Sequence, residues 1–386
     1  MTMFLLSDKI GIWTILNGDK RMKKLLKRSL YFLLPLAAYI LYELCHQNPY
    51  LTEKIYSSQV YPVLSGIFSY MAKYLPFSLA EFMLYAAVIF AVIFVVYIFA
   101  ALFRKNDFKD KIYHFCYRLQ TLAIICSCLY GSFVLFWSLN YARMPLVTHM
   151  GYEASLYSAE ELGNLTFKLI DRANEMRQIV SEDENGCFIM QTDKKESMEK
   201  ADDIFENNAL PFMKEGGVAS VKTHTVPKLL SYGNIQGIYS PFTFEPNVNT
   251  DMPDLYFGAS CCHEYAHFKG FCREDEAEFI AFYVCYMSDD IDFRYSGTMT
   301  ALIHALSALR KADNERYLQA REMICDGIWR DFSQHNLYWD EFEGKVEEVS
   351  EAINDNYLKS NKQESGVKSY GRMLDILLAM DRAGDF

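Results

Sequence analysis

Cys261-Cys262-His263-Glu264-Tyr265-Ala266-His267-Phe268-Lys269-Gly270-Phe271-Cys272-Arg273-Glu274-Asp275-Glu276-Ala277-Glu278-Phe279 is the stretch from which the rest of the chain is most easily read. It contains HExxH, and acidic residues follow almost at once. On a helix, His263 and His267 lie one turn apart on one face, so both imidazoles can reach one metal ion. Glu264 is rotated by about 100° from His263, which aims its carboxylate beside the ion, at a water. Two ligands, a general base and an open position are the wiring of a zinc hydrolase. The small and apolar run Phe257, Ala259, Cys261, Cys262 implies a buried helix, where two histidines and a glutamate need partners. This helix is expected to end at Gly270, and the next to run from near Arg273 to about Ser288.

The third ligand is sought among the acids opening that second helix. Glu274 shares a face with Ala277, Glu278, Ala281 and Cys285, and alanines let two helices approach closely. Glu276 shares its face with Phe279, Ile280 and Tyr283, whose bulk holds the helices apart. Glu274 is therefore the preferred ligand, with Glu276 as the alternative. Glu278 is placed to hydrogen-bond a ligand histidine, and Asp275 suits the first helical turn.

Outward from this stretch, the 386 residues have room for two or three structural units. The 49 acids outnumber the 38 bases, which argues against nucleic acid as a partner. Much of the apolar content sits in the first 140 residues. Residues 1–18 carry no secretory cleavage pattern. A basic run follows (Lys20, Arg21, Lys23, Lys24, Lys27, Arg28), then an apolar stretch over 29–45 that contains Pro35 and closes at Glu43. Stretches 79–103 and 119–139 are longer and almost free of charge. Each of these two is long enough to cross a hydrocarbon core of about 30 Å. The predicted organisation is thus a cytoplasmic basic segment, 1–28, and a region with three transmembrane helices, 29–140. An extracytoplasmic domain, 141–386, completes it.

The side of the membrane follows from lysine and arginine. Both the N-terminal run and Arg104, Lys105, Lys109 and Lys111 flank spans, which places them in the cytoplasm. Three crossings then carry 141–386 outside the cell membrane. The loop 47–78 lies outside too. Within it, Val60 to Tyr74 is aromatic and amphipathic, and reads either as a segment on the membrane surface or as a helix packed on the spans.

In the exported part, Ser158 and Glu161 form a capping box that opens a helix to about Val180. A second helix covers 197–208. Val218 to Val226 alternates as a strand. Gly237-Ile238-Tyr239-Ser240-Pro241-Phe242-Thr243-Phe244-Glu245-Pro246-Asn247 is extended, with prolines that confine it to a sheet edge or a packed loop. As an edge, it could accept an extended peptide as a further strand. Helices follow at 298–312, 314–329 and 339–360, then a last one through Leu378. The fold class is a helical membrane anchor plus a mainly α, α+β domain. Ten cysteines show no zinc-type CxxC pair, and those crowding the HExxH stretch read as packing.

HExxH followed by Glu274, Ala277 and Glu278 resembles the gluzincin metallopeptidases, which implies a zincin-like fold. In them the first of these positions is the third zinc ligand, and an acid or amide four residues on supports a histidine. Glu278 stands where Asp or Asn is usual, and the spacer from His267 to Glu274 is short. The spacer through Gly270 resembles that of metzincins, but their third histidine falls on Arg273, which cannot bind metal. The whole chain is also similar to a bacterial membrane protein family of unknown function. Its members have three N-terminal spans, the segment Gly237 to Asn249, the stretch His263 to Ala277, and Tyr357 to Arg372. That resemblance implies a zinc-peptidase-like exported domain and assigns no substrate.

The expected chemistry is hydrolysis of a peptide or protein substrate outside the membrane, with Zn2+ held by His263, His267 and Glu274 and with Glu264 as general base. Tyr370, Arg372 and His224 are candidates for stabilising the oxyanion. The competing expectation is a non-catalytic, zinc-stabilised receptor or assembly module beside the lipid bilayer. A metal-free helical domain with a coincidental HExxH is a third.

Overall fold

A computed structural model describes residues 20–103, 105, 107–153, 156–213 and 216–386. Residues 1–19 of the predicted cytoplasmic segment 1–28, and Arg104 in the basic loop, lie outside the described residues. The chain is mostly helical, with one sheet of three short strands. It divides into two units: 1–47 with 82–136, and 48–81 with 137–386.

The first unit carries three helices long and apolar enough to cross a membrane, Lys20–Gln47, Leu79–Phe99 and Phe108–Phe136, the second of these beginning within the other unit. Their large apolar side chains face outward, as a lipid environment requires. The chain is a membrane protein. Arg28 Nη1 donates to Tyr117 Oη over 2.9 Å, and Arg21 meets Asp110. The basic turns of the first helix therefore lie beside the basic start of the third.

The second unit differs from the sequence reading in one important respect. Residues 48–78, expected as part of the outside loop, and 79–81, expected to open the second span, fold with 137–386. The reason is a set of buried polar ties that no local pattern reveals. Arg143 grips Glu53 in a fork of 2.7 and 3.0 Å, and also donates to the Gly270 carbonyl over 3.1 Å. Burial would raise the Glu53 pKa, but the His149 hydrogen bond and the Arg143 charge outweigh it and hold it at about 2. Glu245 accepts from the Leu79 and Ala80 amides and from Lys222 Nζ, over 3.1, 2.8 and 2.7 Å. Glu81 in turn accepts from the Thr225 amide over 2.8 Å.

The sheet also departs from expectation. Of the strand predicted at 218–226, only Lys222–Thr223 (β1) pairs in the sheet. The Ala219 and Val221 amides donate instead to Tyr265 Oη and Asp202 Oδ1. The edge or packed loop predicted at 237–247 is a hairpin, Gly237–Ser240 (β2) and Glu245–Val248 (β3), turned at 241–244 with Phe244 at φ 54°. The order is β1-β3-β2, so the proline-bearing β3 is central. Its Pro246 is tolerated because β1 pairs only with Asn247 and Val248. β2, at the rim, retains a free edge.

The helices of the metal-ligand motif run Phe257–Phe268 and Glu274–Met287, close to the predicted bounds. The first ends in a Schellman motif: Phe271 N–H donates to the Ala266 carbonyl (3.2 Å) and Gly270 N–H to the His267 carbonyl (2.9 Å). Gly270 has φ 84°, and a Cβ there would stand 2.9 Å from the Tyr61 ring. Gly270→Ala is expected to lose about 1–3 kcal/mol, read as a lower thermal midpoint of the detergent-solubilised chain. The predicted helix 314–329 is two, Asn314–Met323 and Asp326–Asp340, the second N-capped at Cys325.

Candidate metal centre

Both motif helices are packed so that Cys261, Cys262, Cys272, Ala277 and Cys285 are fully buried between or beside them. Small side chains there permit the close approach expected from the alanine-bearing face. Across this contact three ligating atoms converge. His263 Nε2 lies 3.1 Å from His267 Nε2 and 3.2 Å from Glu274 Oε2, and His267 Nε2 lies 3.4 Å from the same oxygen. All three residues are only 6–7% exposed.

The other ring nitrogens show what these atoms are. His267 Nδ1 faces the Phe271 carbonyl at 2.7 Å, so it carries the proton and donates. His263 Nδ1 faces Glu278 Oε2 at 2.7 Å, close enough for ion pairing although not aligned as a hydrogen bond. With a proton on Nδ1, a neutral imidazole presents a lone pair at Nε2. The three atoms lie within hydrogen-bond distance of one another, so without a metal a proton on Nε2 links His263 to Glu274. Once that proton leaves, two lone pairs and a carboxylate oxygen face one point. Such a triangle is able to hold a metal ion. Its edges match the separation of about 3.3 Å between tetrahedral ligands held 2.0–2.1 Å from a zinc ion. The donor set fits zinc in number, type and spacing.

Without a metal, ion pairing holds the cluster together. Burial alone would lower the His263 pKa, yet Glu274 and Glu278 outweigh it and hold it well above its usual value. Burial would likewise raise Glu274, but His267 and His263 hold it at about 2. Glu278, between His263 and His304 (Nε2 at 3.2 Å), is depressed by the same kind of contact despite its burial. The pocket is built for charges of opposite sign.

Glu264 stands apart from this pairing. It is 5% exposed, and its Oε2 has no hydrogen-bond partner. Burial pushes its carboxyl up to about 7, partly offset by the two histidines. Its other side is pressed against β2: a Cβ on Gly237 would stand 2.5 Å from Glu264 Oε1. Only glycine lets the strand pass over the carboxylate so closely.

The structure separates the two candidate third ligands. Glu274 joins the histidines, whereas Glu276 accepts from the Leu146 amide over 2.7 Å and pairs with Arg273 at 3.0 Å. Of the oxyanion candidates, Tyr370 stacks on His263 with ring centres 5.9 Å apart. Burial first, then Glu274 and Glu264, keep its phenol protonated. Arg372 is exposed and turned to Asp375 at 3.5 Å, and His224 lies in the field of Glu81 and Glu245.

Several neighbours were not assigned a role from sequence. Trp137 sits edge-on to His267 at 5.5 Å and donates from Nε1 to Tyr357 Oη over 2.6 Å. Tyr239 of β2 lies 6.4 Å from His267, ring to ring, and its hydroxyl meets Tyr61 Oη at 3.0 Å. His304 completes the chain through Glu278. Tyr239 and Tyr357 fall in the segments shared with the resembled family, which is the only signal that could have marked them.

A family model described as Protein of unknown function (DUF3810) matches residues 56–378. The chain belongs to that family. No curated protein and no solved structure matches it.

Proposed function

We propose that this member of the family is a membrane-anchored metallopeptidase of zincin-like, gluzincin-like organisation that hydrolyses peptide bonds outside the cytoplasmic membrane. The observation that carries the reading is the convergence of the His263 and His267 Nε2 atoms and the Glu274 carboxylate beside the buried Glu264, whose Oε2 has no hydrogen-bond partner. His263, His267 and Glu274 would hold zinc, with Glu278 and the Phe271 carbonyl fixing the two imidazoles. When bound, zinc supplies a water pKa near about 7 and polarisation of the substrate carbonyl.

The remaining work falls to the chain itself. Glu264 takes a proton from the attacking water and returns it to the departing amine. Its carboxyl pKa, set high by burial, suits a group that must both accept and release that proton. Tyr370 supplies a neutral donor beside the ligands for charge that develops on the carbonyl oxygen. The free edge of β2 offers backbone pairing to an extended substrate directly over Glu264. Gly237→Ala would displace that carboxylate, so hydrolysis is expected to fall by up to about 10²-fold with metal content unchanged.

An orientation with the second unit outside follows from the basic residues at one end of the helices. Digestion of a peptide library by the full-length chain, with and without a chelator, tests the activity. Cleavage abolished by the chelator is expected; no cleavage with a full metal complement would overturn it. In that case a zinc-stabilised receptor or assembly module becomes the better reading, and the near-complete burial of the ligands favours it already.

A further inference from the structure

The helix Tyr61–Ala72 is built inside out for a soluble surface. Its face toward the second unit buries Ser65, Ser69 and Ala72 together with Tyr61. Its outer face carries Val63, Ile67, Tyr70 and Met71, which with Tyr74 are 57–69% exposed. Small and polar residues lie inward and large apolar ones outward, the reverse of what water selects. A shallow groove follows the same face, lined by Pro62, Val63, Gly66, Ile67, Tyr70 and Gly216.

We infer that this face is an interfacial membrane-docking surface, seated among the headgroups and upper acyl chains of the bilayer. Three observations select lipid as the occupant. Residues 73–78 join the helix directly to the span Leu79–Phe99, and the preceding span ends at Gln47, so the segment is tethered to the membrane at both ends. Exposed tyrosines at 70 and 74 suit the water–lipid boundary, where a ring and a hydroxyl each find their medium. The charges suit it as well. The sole acid of 48–78 is Glu53, which is buried and held by Arg143, while Lys54 is exposed and Lys73 lies 4.9 Å from the Tyr74 ring centre. The outer face is thus apolar, aromatic and cationic, as anionic headgroups require.

The helix is also bolted to the metal centre. Tyr61 Oη donates to the Phe268 carbonyl over 3.1 Å, at the end of the helix that bears His263 and His267. Docking therefore fixes the height of the ligand helix above the bilayer surface. The inference stands whether or not the centre cuts peptides.

The test uses the full-length chain with an environment-sensitive fluorescent amino acid in place of Ile67, reconstituted into vesicles of phosphatidylcholine with about one quarter phosphatidylglycerol. Brominated phosphatidylcholine is the quencher, Lys195, on the exposed face of another helix, is the control position, and Met71 repeats the measurement independently. Blue-shifted emission and quenching at least about twofold stronger at 67 and 71 than at 195 are expected. Equal quenching at all three positions would overturn the inference. So would blue-shifted emission without quenching in a chain that sediments as a dimer, which would assign the face to a second copy.

Discussion

Glu264→Gln is expected to lower peptide hydrolysis by about 10²- to 10⁴-fold while leaving bound metal at the wild-type level. The expectation rests on the division of labour within the site. Glu264 contributes no atom to the triangle of His263, His267 and Glu274, so metal affinity does not depend on it. Glutamine has the same shape, fits beneath Gly237, and removes only the ability to accept a proton. Because the carboxyl is buried with an orphaned oxygen, its replacement by a neutral group does not threaten the fold. Comparing cleavage rate and metal content of the two proteins checks the point. Equal rates would remove Glu264 from the mechanism, and loss of metal would show that it acts as a ligand.

The second large effect separates two carboxylates that lie two residues apart. Glu274→Ala is expected to weaken metal binding by about 3 kcal/mol or more, at least a hundredfold. It removes one corner of the triangle and leaves two facing lone pairs unsupported. Glu276→Ala is expected to keep the metal and to lower stability by about 1–3 kcal/mol, since the buried Leu146 amide loses its acceptor. Competition against a chromophoric chelator measures the first effect, and thermal unfolding of the metal-loaded chain the second. The reverse pattern would transfer the ligand role to Glu276.

Much of the centre was legible in the sequence because its parts are local. HExxH brings His263 and His267 to one helix face by period alone. The preference for Glu274 came from comparing which face of the next helix carries alanine and which carries Phe279, Ile280 and Tyr283. Glu278 was placed near a histidine by the same spacing. The spans were legible because apolar length is itself the physical requirement of a bilayer. What stayed hidden depends on contacts across long separations. Nothing around Glu53 or Tyr61 announces that Arg143 and the Phe268 carbonyl will bind them, so residues 47–78 read as a loop between spans. The Gly237–Asn247 segment was read as a sheet edge or a packed loop because proline was weighed without knowing that β1 is only two residues long. Trp137, which lies against His267, and Tyr357, which it meets, come from opposite ends of the second unit's sequence, and no period connects them.

The helix Tyr61–Ala72 and the HExxH helix meet at Tyr61, whose hydroxyl donates to the Phe268 carbonyl. The cluster is enclosed, with His263, His267 and Glu274 6–7% exposed and Gly237 of β2 close against Glu264. Aromatic residues on the His267 side and Tyr370 on the His263 side exclude bulk water, which strengthens each charge interaction inside.

The most direct measurement is the metal content of the purified full-length chain by mass spectrometry, alongside Glu264→Gln and Glu274→Ala. The account predicts about one zinc per chain in the first two and near none in the third. Less than about 0.2 equivalents in the wild-type chain after zinc loading would contradict it.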